Sequence, residues 1–212
     1  EMVCGASASS FEYKKKDGDR VAPRDVLAQV EAPTQLMLTA ERTALNLLCH
    51  LSGVATATAQ WVDAITGTTA IIRDTRKTTP GLRALEKYAV RCGGGQNHRM
   101  SLSDAALVKD NHIVAAGGVA EAFEKVRALA ATLPIEIEVD TLDQLAVAIH
   151  AGADVVLLDN MAPGVMAEAV LIAQRHEAAT GHAVLLEASG GLTLNNAKAV
   201  AATGVHFISV GG

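Results

Sequence analysis

Several short stretches of this 212-residue chain carry residue types able to do chemistry together. One runs Arg73-Asp74-Thr75-Arg76-Lys77-Thr78-Thr79-Pro80-Gly81-Leu82-Arg83. Thr79 before Pro80 reads as an N-cap with proline at the first helical position. The adjacent cations Arg76 and Lys77 then sit beside a helix N-terminus. That is an anion pocket, unless both cations are simply solvated. A second stretch, Gly93-Gly94-Gly95-Gln96-Asn97-His98-Arg99, precedes Lys109-Asp110-Asn111-His112. A glycine triplet lets backbone approach a ligand closely, though such runs are common. A His-Arg pair ten residues ahead of Lys109 is less often idle. Arginine forks onto carboxylates, and lysine supplies a point charge.

The acidic half of the chain contributes Glu136-Ile137-Glu138-Val139-Asp140 and Leu157-Leu158-Asp159-Asn160. Along a strand, Glu136, Glu138 and Asp140 share one face, and only the one nearest the C-terminal rim escapes burial without cost. Glu138 and Asp159 on neighbouring strands suit a shared Mg²⁺, a hard cation that takes oxygen ligands. The last unit is Ser189-Gly190-Gly191 before a helical pattern, with Gly211 one strand later. Such a turn cradles a phosphate on backbone N–H groups.

The elements that must position these residues are legible as alternating patterns. Short apolar runs lie at Ile71–Thr75, Ala105–Lys109, Ile135–Val139, Val155–Asp159, Val184–Ala188 and Phe207–Val210. Helical patterns lie at about Gly81–Arg91, Val119–Thr132, Leu142–Ala151, Pro163–Thr180 and Asn195–Thr203. Repeated β-then-α units with buried strands specify a parallel sheet under helices. Arg76-Lys77, Lys109, Glu138, Asp159, Ser189 and Gly211 fall at or near strand ends, which converge in a (β/α) barrel. The expected class is α/β, an incomplete (β/α) barrel over residues 70–212, six strands being too few for a closed eight-stranded one.

Residues 1–69 read as part of a small N-terminal β-rich α+β domain with linking helices. Lys16-Asp17-Gly18-Asp19 is a tight-turn signal before Val26-Leu27-Ala28-Gln29-Val30. A lipoyl or biotinyl carrier has similar patterns but needs a later hairpin Lys, and none lies between Arg24 and Arg42. Thr39 reads as an N-cap of a helix whose apolar stripe is Ala44, Leu45, Leu47, Leu48 and Leu51, with Ser52-Gly53 interrupting it.

Composition narrows the class. Half the residues are hydrophobic, 3% are aromatic and the net charge is −5, which argues against a nucleic-acid or anionic-membrane partner. The charge is uneven: Arg73–Lys109 holds eight Lys/Arg against three Asp/Glu, and Asp110–Gly212 four against twelve. A basic segment followed by an acidic one suits an anionic substrate plus a divalent metal, although scattered surface charge gives the same count. Cys4, Cys49 and Cys92 form no CxxC pair, so a reducing cytoplasm is expected. No run of eighteen apolar residues suggests a membrane span. The chain begins at Glu1 without Met, and reads as a piece of a longer one. His50, His150, His176, His182 and His206 have no ligand-like partners in the pattern and read as structural.

Taken in order, Glu41-Arg42-Thr43-Ala44-Leu45-Asn46, Leu51-Ser52-Gly53, Arg76-Lys77, the Gly-Gly-Gly-Gln-Asn-His-Arg stretch, Lys109-Asp110-Asn111-His112, Glu138, Leu158-Asp159-Asn160 and Glu187-Ala188-Ser189-Gly190 resemble the quinolinate phosphoribosyltransferases. The resemblance covers nearly the whole chain; Gly212 departs from it, since the family usually has Ala there. It implies transfer of a phosphoribosyl group from 5-phosphoribosyl 1-pyrophosphate to quinolinate with Mg²⁺, releasing pyrophosphate and CO₂. It further implies that Arg76, His98, Arg99 and Lys109 hold the two carboxylates, with Arg42 reaching in from a neighbouring subunit of a homodimer or larger homo-oligomer. Thr75 and Lys77 lie near the substrates, Glu138 and Asp159 face the ribose and the metal, and Ser189, Gly190 and Gly211 cradle the 5′-phosphate. Two readings compete: a barrel of the same fold acting on another anionic base, and a non-catalytic phosphate-binding barrel.

Overall fold

The computed structural model describes residues 10–130 and 132–211, so Cys4 and Gly212 lie outside the described residues. The N-terminal ribbon pairs β1 (Ser10–Tyr13) with β2 (Ala28–Glu31) antiparallel. Its Lys16–Asp19 turn forms as expected: the Lys16 amide donates to Asp19 Oδ2 at 2.8 Å, and Gly18 takes φ 89°.

A single helix of 31 residues follows, α1 (Thr34–Ala64). It corrects two expectations. Thr39 is not an N-cap, because its Oγ1 donates to the Gln35 carbonyl at 2.8 Å inside the helix. Ser52-Gly53 does not interrupt the helix either, since mid-helix Gly costs only about 1 kcal/mol and a long helix propagates through it.

The remaining elements are β3 (Ile71–Arg73), α2 (Arg83–Cys92), β4 (Ala106–Val108), α3 (Asp110–Ala116), α4 (Val119–Leu129), β5 (Ile135–Val139), α5 (Leu142–His150), β6 (Val155–Asp159), α6 (Pro163–Thr180), β7 (Leu185–Ser189), α7 (Leu194–Ala201) and β8 (Phe207–Ser209). All six expected strands form, each within two residues of its expected ends. Helix α2 starts one turn later than Thr79-Pro80 suggests. Gly81 sits at φ 81°, a left-handed residue that a right-handed helix excludes, so residues 79–82 form a separate turn.

The six strands are parallel in the order β3-β8-β7-β6-β5-β4. Read around, this is chain order with one seam, between β3 and β4. A doubly wound sheet would instead reverse direction at a switch point. Gln96 partly spans the seam by bridging to Arg73. The sheet is therefore an incomplete barrel.

Period-two alternation then sorts the side chains. Ile72, Val108, Ile137, Val156, Leu158, Leu186 and Ile208 face outward into a core with Phe123, Leu145, Ile149, Met166 and Val200 from the helices. The other face carries Arg73, Glu136, Glu138, Leu157, Asp159, Glu187, Ser189 and Ser209. Register brings Arg73 opposite Ser209, Glu187 opposite Leu157, and Asp159 opposite Ser189. The polar residues thus line the barrel interior while the apolar ones bind the helices to it.

The glycine triplet serves packing rather than ligand approach. A Cβ on Gly93 would lie 2.4 Å from the Ala55 carbonyl oxygen, and one on Gly95 2.9 Å from Thr58 Cγ2 and Val90 Cγ1. Those close approaches seat the segment leading to His98 on α1. Gly93→Ala should therefore lower stability by about 1–3 kcal/mol, measured by urea unfolding, because backbone rather than a flexible side-chain tip would have to move.

Candidate active site

The segment carrying His98 and Arg99 is held from below by a buried ion pair. Lys87 on α2 is 1% exposed, and its Nζ donates to Asp74 Oδ1 and, at 2.9 Å, to the His98 carbonyl. Asp74, just past β3, also accepts from Asn97 Nδ2 at 2.6 Å and from the His98 amide at 2.8 Å. Three sequence-distant pieces are thereby locked together: the end of β3, α2, and residues 97–98.

Beside this knot the His98 ring points into the barrel. Its Nδ1 accepts from the Arg99 amide at 2.7 Å. Its Nε2 lies 2.8 Å from Glu136 Oε2 and 3.5 Å from Glu187 Oε1. Glu187 is fully buried, accepts from Arg73 Nη1 at 2.8 Å, and also accepts from Ser209 Oγ. The Arg73 guanidinium stacks 3.8 Å over the Phe207 ring. Burial first, and then the neighbouring Glu136 charge, push the Glu187 carboxyl above its ordinary range, against the opposing pulls of His98, Ser209 and Arg73.

Above this floor lies a cationic cluster. Arg99 Nη1 donates to the Ala105 carbonyl at 2.8 Å. Burial, and then the nearby Arg76 charge, lower the Arg99 pKa, with Glu136 opposing. Arg76 Nε is buried with no hydrogen-bond partner. Two close guanidiniums, one with an unmet buried donor, make a site that gains by taking up an anion.

Across the mouth, Lys109 Nζ approaches Glu138 Oε2 at 3.8 Å. The Lys109 amide donates to His112 Nδ1 at 3.0 Å at the start of α3, a helix the strand-and-helix pattern did not reveal. Glu138 is partly buried. Burial pushes its carboxyl up, Lys109 pulls it down, and the Asp159 charge adds to the rise. Glu138 and Asp159 are thus close enough to repel.

Asp159 Oδ2 accepts from Asn160 Nδ2 at 2.8 Å. Asn160 itself is left-handed at φ 52° and donates its amide to the Ser189 carbonyl at 2.9 Å. A Cβ on Gly190, at φ 77°, would fall 2.3 Å from Asn160 Oδ1, so only glycine fits there. At the next strand end, a Cβ on Gly211 would lie 2.8 Å from Thr75 Oγ1. The same Oγ1 accepts from the Lys77 amide at 3.1 Å. Thr193 caps α7 and exchanges hydrogen bonds with Asn196. The acids, the glycine turns and the cations therefore meet at one mouth. Arg42 does not join them: it is exposed on α1, and among the described residues no hydrogen bond or ion pair ties it to the barrel.

Residues 54–212 match the family model described as quinolinate phosphoribosyl transferase, C-terminal domain, and residues 1–52 match that of the N-terminal domain. The chain belongs to the quinolinate phosphoribosyltransferase family. It is 51% identical over 211 residues to the nicotinate-nucleotide pyrophosphorylase [carboxylating] of Mycobacterium leprae, spanning 100% of this chain and 73% of that protein. The human protein of that name is 40% identical over 198 residues, 92% of this chain and 65% of its own length. The chain thus spans about two thirds to three quarters of these relatives. The solved nicotinate-nucleotide pyrophosphorylase of Francisella tularensis superposes with a TM-score of 0.90 at 43% identity, covering 97% of this chain and 71% of that one.

Within this quinolinate phosphoribosyltransferase barrel, the supporting residues were harder to read than the mouth. Lys87 carried no signal, because a lysine on a helix normally reads as solvated. Asp74 and Asn160 were visible only as neighbours of more obvious groups. Glu187 did have a signal: a charge in the middle of the apolar strand Leu185–Ser189 has to be paired inside. The His50 ring pairs with Glu86 Oε1 at 2.7 Å, and His206 Nδ1 accepts from the Leu186 amide at 3.0 Å, as structural histidines would.

Lys87→Met leaves the Asp74 charge buried and unpaired, and should cost about 3–5 kcal/mol in urea unfolding; the double variant with Asp74→Asn should recover part of that loss. Glu138 sets a pH dependence. Its folded pKa is raised above 4.5, so its contribution to stability is full below pH 4.5 and is lost as pH rises through the folded value. In metal-free buffer Glu138→Gln should therefore melt about 1–3 °C above the parent at neutral pH, the gain vanishing below pH 4.5.

Proposed function

We propose that this barrel mouth joins quinolinate to 5-phosphoribosyl 1-pyrophosphate, giving nicotinate mononucleotide, pyrophosphate and CO₂, as a step of NAD biosynthesis. The observation that carries the reading is the Arg76–Arg99 pair, with its unpartnered buried Nε, facing a second cluster of opposite charge at Glu138 and Asp159. One cluster suits a dicarboxylate and the other a ribose and metal-bound pyrophosphate, and the glycine turns between them suit a phosphate.

Arg76, Arg99 and Lys109 hold the two quinolinate carboxylates, and His98, expected to share that task, lines the same pocket with its ring beside Glu136. Lys77 meets a phosphate, and Thr75 orders the turn that carries it. Ser189, Gly190 and Gly211 cradle the 5′-phosphate on backbone N–H groups. The donor set at Glu138 and Asp159, two mutually repelling carboxylates near the rim, fits Mg²⁺. When bound there, that ion supplies charge neutralisation for the departing pyrophosphate. The ring nitrogen attacks the anomeric carbon as the C–O bond to pyrophosphate breaks, and the nearby carboxylates stabilise the positive charge on the ribose. The N-ribosylated ring is cationic, so its adjacent carboxylate leaves as CO₂ and the electron pair stays on carbon beside N⁺ until protonated. No side-chain nucleophile takes part.

Residues 70–212 form the catalytic barrel in this reading, and residues 1–69 belong to the adjoining domain. Leu38, Leu45 and Leu48 are exposed along α1 near Arg42, which supports a homodimer in which Arg42 completes a neighbour's pocket. Among the described residues no helix is long and apolar enough to cross a membrane. A cytoplasmic setting suits the free thiols of Cys49 and Cys92.

The test is turnover: quinolinate, 5-phosphoribosyl 1-pyrophosphate and Mg²⁺ should yield nicotinate mononucleotide and CO₂ in equal amounts. Arg99→Ala should cut kcat/KM by on the order of 10²-fold or more. Absence of product from the intact protein, with 5-phosphoribosyl 1-pyrophosphate still bound, would move the substrate to another anionic base.

A further inference from the structure

His98, Glu136 and Glu187 offer donor atoms that all lie within 4.8 Å of one another, a spacing that either a metal ion or a hydrogen-bond relay accepts. The imidazole decides between them. Its Nδ1 accepts the Arg99 amide proton at 2.7 Å, so the lone pair is on Nδ1 and the ring proton is on Nε2. An Nε2–H cannot ligate a metal but can face a carboxylate, and Glu136 Oε2 stands 2.8 Å away. The Glu187 share of the charge a metal would neutralise is already met by Arg73, whose guanidinium pairs with it at 2.8 Å.

One ring nitrogen therefore faces the two acids of the barrel floor, and the other accepts from the backbone of Arg99. We propose that Glu136 and Glu187 are positioning residues, holding His98 as its Nε2–H tautomer so that its Nδ1 fixes the Arg99 backbone and the height at which Arg99 presents its guanidinium to a substrate carboxylate. Arg73 and Ser209 hold Glu187, Glu187 and Glu136 each face the His98 ring, and His98 holds the adjacent Arg99; all but the last of these contacts join strands or segments distant in sequence. Arg99 is tied at both ends, its amide to His98 and its Nη1 to the Ala105 carbonyl at 2.8 Å. Removing one tie leaves a long side chain pivoting about the other. The inference rests on the reading of the mouth as a quinolinate pocket, and it assigns the two buried acids a part in substrate recognition distinct from that of Glu138 and Asp159.

Loss of a substrate-orienting contact raises KM for the substrate it orients, whereas loss of folded protein lowers apparent kcat and leaves KM alone. In the full chain, Glu136→Ala and Glu187→Ala should each raise KM for quinolinate roughly tenfold with KM for 5-phosphoribosyl 1-pyrophosphate unchanged. Glu136→Gln retains an acceptor for the ring proton and should bring KM back toward the parent value. Long-range ¹H–¹⁵N correlation of the histidine rings, which needs no turnover, should show His98 as the Nε2–H tautomer in the parent and in Glu136→Gln, and lose that signature in Glu136→Ala. An Nδ1–H tautomer in the parent, or an unchanged KM for quinolinate in both alanine variants, would overturn the proposal. If the alanine variants do not fold, the tautomer of the parent still decides it. Failure of the parent to use quinolinate would instead sink the functional reading, while the ring signature would stand or fall on its own.

Discussion

The active-site mouth depends on one buried interaction, the ion pair between Lys87 and Asp74. Two charges removed from water are stable together only if their remaining hydrogen-bonding capacity is also met. Here the backbone and side chains of residues 97–98 meet it: Lys87 donates to the His98 carbonyl, and Asp74 accepts from the His98 amide and from Asn97. The pair therefore cannot form without placing that segment. Because Asp74 directly follows β3 and Lys87 lies on α2, the barrel and that helix are joined beside the Arg76–Arg99 cluster.

Around that knot, the electrostatics divide into a floor whose charges face partners of opposite sign, although Arg73 Nε and Glu136 Oε1 keep no hydrogen bond, and a mouth where like charges crowd. In the floor, Arg73 and His98 face Glu136 and Glu187, and Ser209 adds a further hydrogen bond. At the mouth, Arg76 keeps a buried donor without a partner, Arg99 is held at a cost beside it, and Glu138 is pushed up by burial with Asp159 close by. Charges that raise one another's energy in the free protein are those that gain most when a substrate of opposite sign arrives. This is the preorganisation that favours developing charge in a transition state.

Packing constraints fix the geometry of both layers. Gly93 and Gly95 bring backbone against α1 where a methyl group would collide, and Gly190 does the same against Asn160. Asn160 tolerates its left-handed backbone because its side chain is held by Asp159, linking that acid to the Ser189-Gly190 turn. The glycines of this chain thus serve close packing in both places, seating one segment on a helix and another against Asn160.

The β-then-α alternation and the parallel sheet were legible in the sequence, because a buried strand such as Val155–Asp159 and a helix such as Pro163–Thr180 each carry a local period. The placement of Arg76, Arg99, Lys109, Glu138, Asp159 and the Ser189-Gly190 turn around one mouth was legible too, since strand ends converge in this fold. Helix boundaries were not: Ser52-Gly53 fails to break α1 because propagation of a long helix outweighs about 1 kcal/mol of propensity, and the left-handed Gly81 delays α2. Nor could local patterns reveal that Lys87 is buried, that Glu136 and Glu187 converge on His98 from strands two apart, or that Gly93–Gly95 faces a helix. Those relations join residues distant in the chain, and only closure of the sheet brings them within hydrogen-bonding reach. The sequence by itself determined which residues stand at the strand ends; the tertiary structure decided which of them are held, and by what.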